Sequence, residues 1–494
     1  MTRLALCILS LLSLYTFSQL TAQDIAARLD IGKREAKPSF IEFSPVDKGV
    51  VTLGPYSRVS NRFLALNKYG GNFKKQWSEN IIEQNGRKNI DFLTVLGENI
   101  LVFVSEFFPK DKIIKTYYYR YNLEGKVLEK EAILSIYPNQ KEQKVDLQYV
   151  LSPNKKSLLC YKNLQNRKEA EKVLYYLFSE DGSVKANGEL KLKYPDNLFR
   201  ITNIRLSNQG NVFVLGKYSS KGLIIDPNNF KYLAYRYDTQ INQGREFEID
   251  LGDRIIADLT FKIDRDENVF LAGFYSNRGS NQMAGTFLQR IDWQGRVEIE
   301  ATEPFSKDFL SNYLSKGQIN RGKEIRDFYI RSEDGIILRS DGGVLLIAEK
   351  FYITRQTFQD RFGRLSDIEI FHYDDVILTS IDAEGKIEWQ AVVDKRQASE
   401  DPSNLSFFNA SSAEGTYIFY EYYPRGRNRR LNVYYNLIGI DGSVGPTTPL
   451  LPDFRVGDAF IPRYSIQTGN NEAMMVYLRN RGRIYTVLKV AFDQ

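Results

Sequence analysis

Cysteine and histidine are nearly absent from this sequence, which has two cysteines and one histidine among 494 residues. Cys7 lies in an N-terminal segment that we expect to be removed, which leaves Cys160 alone and excludes an intramolecular disulfide. Cys160 belongs to an apolar run and is predicted to be a buried strand residue. The single histidine, His372, argues against multi-histidine metal sites, Ser-His-Asp triads and Cys-His pairs, and no cofactor is expected.

Long apolar runs are absent after the N-terminus. Residues 1–23 contain Arg3, an apolar stretch over residues 4–17 and small residues around Ala22, which is the pattern of a signal peptide. The stretch is too short and too early to span a membrane. We therefore expect the mature chain, residues 24–494, to be exported and soluble, in the periplasm or outside the cell.

A strong excess of one charge is also absent, because the sequence has 67 basic and 61 acidic side chains and a formal net charge of +6. The clearest local excess is a basic run at residues 425–430, which contains Arg425, Arg427, Arg429 and Arg430. A basic loop between strands can hold phosphate, acidic polysaccharide or a lipid head group, or it can simply be solvated. Export argues against a nucleic-acid partner.

Residues 377–395 carry the clearest structural pattern in the chain. Apolar and polar residues alternate up to Asp382, and after Gly385 they alternate again, with Trp389 on the apolar face. This pattern predicts a β-hairpin. Asp382 can accept backbone hydrogen bonds inside the turn, and Gly385 can adopt the positive φ that ends it, so these two residues and Trp389 are assigned structural roles.

Degraded copies of this hairpin recur along the chain. The turn glycines Gly70, Gly125 and Gly182 are 55 and 57 residues apart, and Gly385 and Gly442 are 57 apart. Between these copies lies a second kind of hairpin that ends in an aromatic residue. Two hairpins per period give four strands in fewer than about 60 residues, which is typical of a propeller blade.

The copies form eight two-hairpin units from about residue 38 to the C-terminus, and the eighth lacks a strand. Residues 24–31 alternate in the same way but have no hairpin partner nearby. The sequence therefore predicts an all-β β-propeller of four-stranded blades, with eight blades favoured over seven, closed by the N-terminal strand. Residues 24–494 are predicted to form this one domain.

Two insertions interrupt the period, at about residues 304–331 and 353–375. Phe305 and Phe309 have helical spacing, which predicts a short helix or an ordered loop in the first insertion. Because insertions into a rigid scaffold often carry function, we expect the two to form one raised binding surface. Its predicted aromatic residues are Phe305, Phe309, Tyr313, Phe328, Phe358, Phe362, Phe371 and Tyr373, and His372 lies beside the last two.

Two kinds of chemical site are compatible with the acidic residues of the sequence. Asp264, Asp266 and Asn268 have a spacing that can place three oxygen ligands around Ca²⁺, but the later bidentate glutamate of an EF-hand is missing. An Asx turn without metal is the favoured interpretation. Carboxylates at a propeller channel can also support glycoside chemistry, although the sequence does not identify the pair.

Residues 381–389 (IDAEGKIEW) resemble the blade repeat of quinoprotein-type propellers, in which a strand enters an Asp-and-Gly turn followed by tryptophan. The same repeat occurs in non-enzymatic outer-membrane assembly propellers. The quinone enzymes' adjacent cysteine pair is missing here. Residues 338–352 and 375–397 are similar to a set of exported bacterial propeller proteins of unassigned function. The resemblance implies the fold and export, and no activity.

These observations predict a non-catalytic binding or assembly scaffold in the cell envelope, with a protein or a glycan as its partner and no membrane span. The alternative is a carbohydrate-active hydrolase or lyase that uses carboxylates at the propeller channel.

Overall fold

A computed structural model describes residues 25–31, 38–55, 63–83, 88–136, 147–164, 172–195, 197–222, 230–278, 282–331, 335–359, 365–422, 432–450, 458–479 and 484–492. These residues form an all-β protein of the β-propeller type, built from antiparallel sheets that follow one another along the chain. The first strand is β1 (Ile25–Ile31), which joins the last sheet.

Four sheets of four strands each make up the first half of the chain. Sheet 1 consists of β2 (Phe40–Ser44), β3 (Gly49–Pro55), β4 (Phe63–Tyr69) and β5 (Lys75–Glu83). Sheet 2 consists of β6 (Lys88–Leu96), β7 (Asn99–Phe108), β8 (Ile113–Asn122) and β9 (Val127–Ile136). Sheet 3 consists of β10 (Gln148–Leu151), β11 (Leu158–Leu164), β12 (Lys172–Phe178) and β13 (Val184–Lys191). Sheet 4 consists of β14 (Phe199–Leu206), β15 (Val212–Tyr218), β16 (Lys231–Asp238) and β17 (Gln243–Ile249).

The second half is less regular because it contains the insertions. Sheet 5 consists of β18 (Ile255–Ile263), β19 (Val269–Ser276), β21 (Gly285–Ile291) and β22 (Val297–Pro304), while β20 (Gln282–Met283) pairs outside it with β23 (Ile325–Arg326). Sheet 6 consists of β24 (Phe328–Ile330), β25 (Ile336–Leu338), β26 (Val344–Gln359), β27 (Leu365–Ile381), β28 (Ile387–Val393) and β29 (Gln397–Ser399).

The last two sheets complete the chain. Sheet 7 consists of β30 (Phe407–Ser411), β31 (Gly415–Tyr422), β32 (Asn432–Gly439) and β33 (Thr448–Pro449). Sheet 8 consists of β34 (Ala459–Phe460), β35 (Ile466–Gly469), β36 (Glu472–Arg479), β37 (Ile484–Ala491) and β1. β1 pairs antiparallel with β37 from Ile25 opposite Val490 to Ile31 opposite Tyr485.

Buried apolar clusters hold successive sheets together face to face. Val51 of sheet 1 packs in one cluster with Val102 of sheet 2, and comparable clusters follow between each later pair of sheets. A further cluster joins Leu29 and Val487 of sheet 8 to Phe43 of sheet 1. First strands of many neighbouring sheets also contact one another, such as β2 with β6 and β14 with β18.

The hairpin predicted at residues 377–395 is confirmed in detail. β27 ends at Ile381, β28 begins at Ile387, and Gly385 has a φ of +88°. The Asp382 carboxylate accepts hydrogen bonds from the backbone amides of Glu384 and Lys386 at 3.1 and 2.7 Å. The ladder shifts register between Ser380 and Ile381, as expected for a turn that ends in a bulge.

The insertions differ from each other in structure. The first forms two short helices, α1 (Lys307–Leu310) and α2 (Lys316–Asn320), so the prediction of a short helix there is confirmed. The second is not a separate loop, because β26 and β27 continue through it as one antiparallel ladder from Phe351 opposite Tyr373 to Gln359 opposite Leu365. Two 3₁₀ turns, Pro402–Asn404 and Pro462–Tyr464, complete the described helices.

The structure also bears on the predictions for Cys160 and for membrane-spanning segments. Cys160 is fully buried in β11 and free, which confirms its assignment as a core residue. Over the parts of the chain with described coordinates, every helix is too short or too polar to cross a membrane. Residues 1–23, the predicted signal peptide, lie outside the described residues.

Candidate functional site

The two insertions meet at sheet 6. Phe328, near the end of the first insertion, pairs with Lys350 in the β24–β26 ladder. The backbone amide of Phe351 donates a 2.8 Å hydrogen bond to the carbonyl oxygen of Asp327, and the rings of Tyr329 and Phe351 lie 6.0 Å apart. We call this combined surface the insert face.

Three of the aromatic residues expected on this surface are instead part of the core. Phe305, Phe309 and Phe328 are at most 6% exposed and pack in the cluster between sheets 5 and 6. The sequence spacing indicates that these aromatic residues lie on one side of the insertion. That side faces inward, because it covers the apolar surface of sheet 5. The expectation that they contribute exposed binding aromatics is therefore wrong.

The other predicted site residues are only partly described. Phe371, His372 and Tyr373 lie in β27, opposite Ile353, Tyr352 and Phe351 of β26. Phe358 lies in β26 opposite Ser366. Phe362, Arg425, Arg427, Arg429 and Arg430 lie outside the described residues.

A cleft of about 450 Å³ lies where the long hairpin leaves sheet 6, and we call it the hairpin cleft. It is lined by Lys350, Tyr352, His372, Asp374, Asp375, Arg396, Gln397 and Ala398. The rings of Tyr352 and His372 stack at 4.4 Å with an interplanar angle of 5°. The Tyr352 hydroxyl donates to Asp374 at 3.0 Å, and the His372 Nε2 lies 2.8 Å from the Thr354 hydroxyl.

A buried ion pair lies beneath this cleft. Lys395 Nζ is 2.5 Å from Glu349, and the two side chains are 0% and 5% exposed. The same ammonium donates to the Tyr373 carbonyl at 2.8 Å and to Gln397 at 3.1 Å, while the Ser406 hydroxyl donates to Glu349 at 2.5 Å. Burial lowers the pKa of Lys395, and the attraction of Glu349 opposes this shift. The pair fixes the strands that carry Tyr373 and Gln397.

Adjacent carboxylates also shape the hairpin cleft. Burial raises the pKa of Asp375, and the nearby Asp394 raises it further, whereas Lys350 and Arg396 act in the opposite direction. Burial likewise raises the pKa of Tyr352, and its hydrogen bond to Asp374 adds to this effect. The cleft thus brings the Tyr352 hydroxyl, the His372 ring and two aspartate side chains beside Lys350 and Arg396.

A second cleft, of about 380 Å³, lies on the other side of Lys350, and we call it the insert cleft. It is lined by Arg278, Gln282, Tyr313, Leu314, Gln318, Lys323, Glu324, Ile325, Arg326, Asp327, Phe328 and Lys350. Lys350 therefore belongs to both clefts, and its ammonium lies 5.7 Å from the centre of the Tyr313 ring. The short β20–β23 ribbon places Gln282 opposite Arg326.

Sequence reasoning missed the charged residues of both clefts. Arg326 ends β23, Arg396 lies between β28 and β29, and Lys350 lies within β26, and charged residues are mostly solvated in folded proteins. The sequence did contain one signal for these charged positions. Glu349 and Lys350 interrupt the apolar run of residues 344–353, and Lys395 follows the apolar-alternating strand β28.

In the candidate Ca²⁺ turn, both carboxylate oxygens of Asp264 accept hydrogen bonds from within the turn. One Asp264 carboxylate oxygen accepts from the backbone amides of Asp266 and Asn268, both at 2.9 Å, and the other accepts from the Asn268 side chain at 2.8 Å. This is the geometry of an Asx turn. Over the described ranges, no group of three or more His, Cys, Asp or Glu side chains is placed to hold a metal ion.

Two carboxyl groups on first strands, those of Glu42 and Asp258, are half-buried. Burial raises the pKa of Glu42 in β2 to about 7, and the pKa of Asp258 in β18 to about 6. Asp258 accepts hydrogen bonds from the backbone amides of Ile330 at 2.8 Å and Leu259 at 3.0 Å, so it links the first strands of sheets 5 and 6. The nearby cations are Lys155 for Glu42 and Lys217 for Asp258.

No family model matches the chain, and no curated protein matches it. A solved structure of the polysaccharide lyase Uly1 is 10% identical, covers 95% of this chain and 100% of its own, and has a TM-score of 0.37. The β-propeller domain of the Trilobed protease from Pyrococcus furiosus is 10% identical over 82% of this chain and 96% of its own, with a TM-score of 0.33.

An acylaminoacyl peptidase structure is also 10% identical, over 83% of this chain and 52% of its own, with a TM-score of 0.36. Likeness at this level carries no evidence on what the present chain binds or catalyses. The resemblance to quinoprotein-type repeats remains a prediction.

Proposed function

We propose that this chain is an exported, non-catalytic propeller that captures an envelope partner, a glycan or a protein, on the insert face. The observation that carries the proposal is the junction of the two insertions at Lys350, which leaves two adjacent clefts of about 450 and 380 Å³. Both volumes lie within the range of ligand sites. The ion pair between Lys395 and Glu349 fixes the floor of one cleft before any partner arrives.

The proposal includes the architecture that carries this face. Eight sheets act as eight blades, and β1 completes the last blade and closes the ring. The pairing of β1 with β37 and the apolar cluster between sheets 8 and 1 support this arrangement. A closed ring leaves no unpaired strand edge between the termini and holds the insertions on a rigid base.

A trimmed hairpin tests the proposed function. Thr354 and Ile370 face each other in the β26–β27 ladder, so Asn-Gly can replace residues 355–369 as a two-residue turn. Circular dichroism and the melting temperature verify the fold, and the tagged chain is then cross-linked in the native envelope and purified. We expect the trimmed variant to recover at least about tenfold less partner than the parent.

A matched control removes exposed apolar residues far from the insert face. Val46 and Ile241 are 52% and 63% exposed in turns of sheets 1 and 4, and their replacement by serine should leave recovery unchanged. Equal recovery by the parent and the trimmed chain would exclude the hairpin from the capture site, and the insert cleft and the basic run at residues 425–430 would be tested next.

Catalysis by channel carboxylates is the second candidate function. The raised pKa values of Glu42 and Asp258 favour it, because carboxyl groups that keep a proton near neutral pH serve as general acids. These residues belong to sheets 1 and 5. Incubation with neutral and uronate-containing polysaccharides, followed by assays for reducing ends and for unsaturated products, separates the candidates. Turnover that disappears in Asp258→Asn would overturn the non-catalytic assignment.

A further inference from the structure

The insert cleft carries four cationic side chains, those of Arg278, Lys323, Arg326 and Lys350. Across the described part of the chain, none of the four lies within 4.0 Å of a carboxylate oxygen. Arg278 donates a 3.1 Å hydrogen bond to the Arg321 carbonyl, and the Lys350 ammonium lies over the Tyr313 ring. Their charge is therefore available to a ligand.

One of the two acids that line the insert cleft is hydrogen-bonded in the interior. Glu324 is buried, and its carboxylate accepts hydrogen bonds from the Ser276 hydroxyl at 2.5 Å and from the Asn277 amide at 3.0 Å. Among the described residues, Glu324 forms no ion pair with any of these four cations. Asp327 is the other acid in the lining, so cations outnumber acids by four to two.

The described residues of the two clefts offer few exposed apolar anchors to a protein partner. Phe305, Phe309 and Phe328 are buried in the core. The exposed aromatic and aliphatic residues of this region, Tyr329, Ile353 and Leu365, do not line either cleft. Protein interfaces usually depend on buried aromatic or aliphatic anchors at their centre, whereas the exposed residues of the insert cleft are all charged: Arg278, Lys323, Arg326 and Asp327.

We infer that the two clefts, joined at Lys350, form one groove for an anionic polysaccharide whose carboxylate or sulfate groups bind in the insert cleft. This inference rests on the proposed function and specifies its partner. Lys323, Arg326 and Lys350 supply charge-assisted hydrogen bonds to the anionic groups. Asp374 and Asp375, in the hairpin cleft, accept hydrogen bonds from sugar hydroxyl groups, and Tyr352 and His372 provide a polar aromatic wall.

Titration calorimetry on the full mature chain tests the inference with three defined probes. These are oligomers of polygalacturonate, which carry carboxylates, dextran sulfate oligomers, which carry sulfates, and neutral dextran of matched length. We expect one anionic probe to bind, dextran not to bind, and the affinity to fall at least about tenfold between about 50 and 500 mM NaCl, because salt screens exposed charges. The probe that binds more tightly identifies the anionic group.

Charge-matched variants locate the binding. Lys323→Gln with Arg326→Gln should weaken the anionic probe at least about tenfold, and Lys350→Gln should do so alone because Lys350 lines both clefts. Lys307→Gln with Lys316→Gln removes the same charge from exposed positions of the same insertion that do not line either cleft. This control should retain the affinity of the parent.

Three results would overturn the inference: equal binding of dextran and the anionic probes, equal losses in the two charge-matched pairs, or no binding of any probe. If no probe binds and the trimmed hairpin still abolishes capture of an envelope protein, the anionic glycan is excluded and the proposed function stands. If the trimmed hairpin has no effect while an anionic probe binds through Lys323 and Arg326, the insert cleft remains the glycan site and the hairpin is excluded from it.

Discussion

The indole nitrogen of Trp389 donates a 3.0 Å hydrogen bond to the backbone carbonyl oxygen of Ile440, 51 residues later in the chain. The ring lies against the turn of sheet 7, where a Cβ on Gly442 would be 2.6 Å from it. Trp77 repeats the arrangement in the first half of the chain, with a 2.7 Å bond to the Leu123 carbonyl. A tryptophan on one sheet thus fastens the turn of the next.

This contact predicts a stability loss on substitution. Trp389 is partly buried, so Trp389→Ala should lower the free energy of unfolding by about 2–3 kcal/mol, through lost packing and one lost hydrogen bond. Trp389→Phe keeps a ring against Gly442 and should lose only about 1 kcal/mol. Denaturant unfolding measures both. Trp293 is 52% exposed, and its replacement by alanine should change stability by less than about 0.5 kcal/mol; a similar loss there would contradict the assignment.

Removal of the first strand should expose the edge of β37. Leu29 and Ile31 are buried against sheets 1 and 8, and β1 covers β37 through six paired positions. A chain that begins at residue 32 should therefore melt at a lower temperature and associate in size-exclusion chromatography, compared with one that begins at residue 24. Addition of a peptide of residues 24–31 should restore the melting temperature. A truncated chain that melts and elutes like the longer one would disprove closure by β1.

The buried pair of Lys395 and Glu349 predicts strongly non-additive substitutions. Lys395→Met leaves the Glu349 carboxylate buried without its cation and should lower the free energy of unfolding by roughly 3–5 kcal/mol. Lys395→Met combined with Glu349→Leu removes both charges and should recover a large part of this loss. A double-mutant cycle in denaturant measures the coupling. Additive losses would show that the two side chains do not depend on each other.

Glu42 should make stability depend on pH. Its pKa in the folded protein is about 7, above its ordinary value of 4.5, so the folded state binds more protons than the unfolded state between these values. The free energy of unfolding should then fall as pH rises from about 4.5 to about 7, and level off above it. Glu42→Gln should reduce this decrease and stabilise the protein by roughly 1–3 kcal/mol at pH 8.

Melting temperatures across pH 4.5–8 compare the parent with Glu42→Gln. Lys155 faces Glu42, and its own pKa is lowered by burial, so Lys155→Met in the parent background should steepen the decrease. Identical pH profiles for the parent and Glu42→Gln would show that Glu42 keeps an ordinary pKa.

Much of the fold was already determined by local sequence patterns. The alternation around Asp382 and Gly385 specifies a hairpin, because the turn chemistry and the period-two pattern both act within a few residues. Even the pairing of β1 with β37 could be predicted, since a spare strand at one end matched a missing strand at the other. The Asx turn at Asp264 followed from the same short-range chemistry.

The candidate site was determined only by the tertiary structure. Phe305, Phe309 and Phe328 looked like binding aromatics because the sequence shows which residues share a side but not what that side faces, and here it faces sheet 5. Lys350 joins two clefts because β24 and β27 lie on either side of β26, and no local pattern records both neighbours. Turns depend on nearby residues, whereas burial and exposed charge depend on segments distant in the sequence, which meet only when the chain is folded.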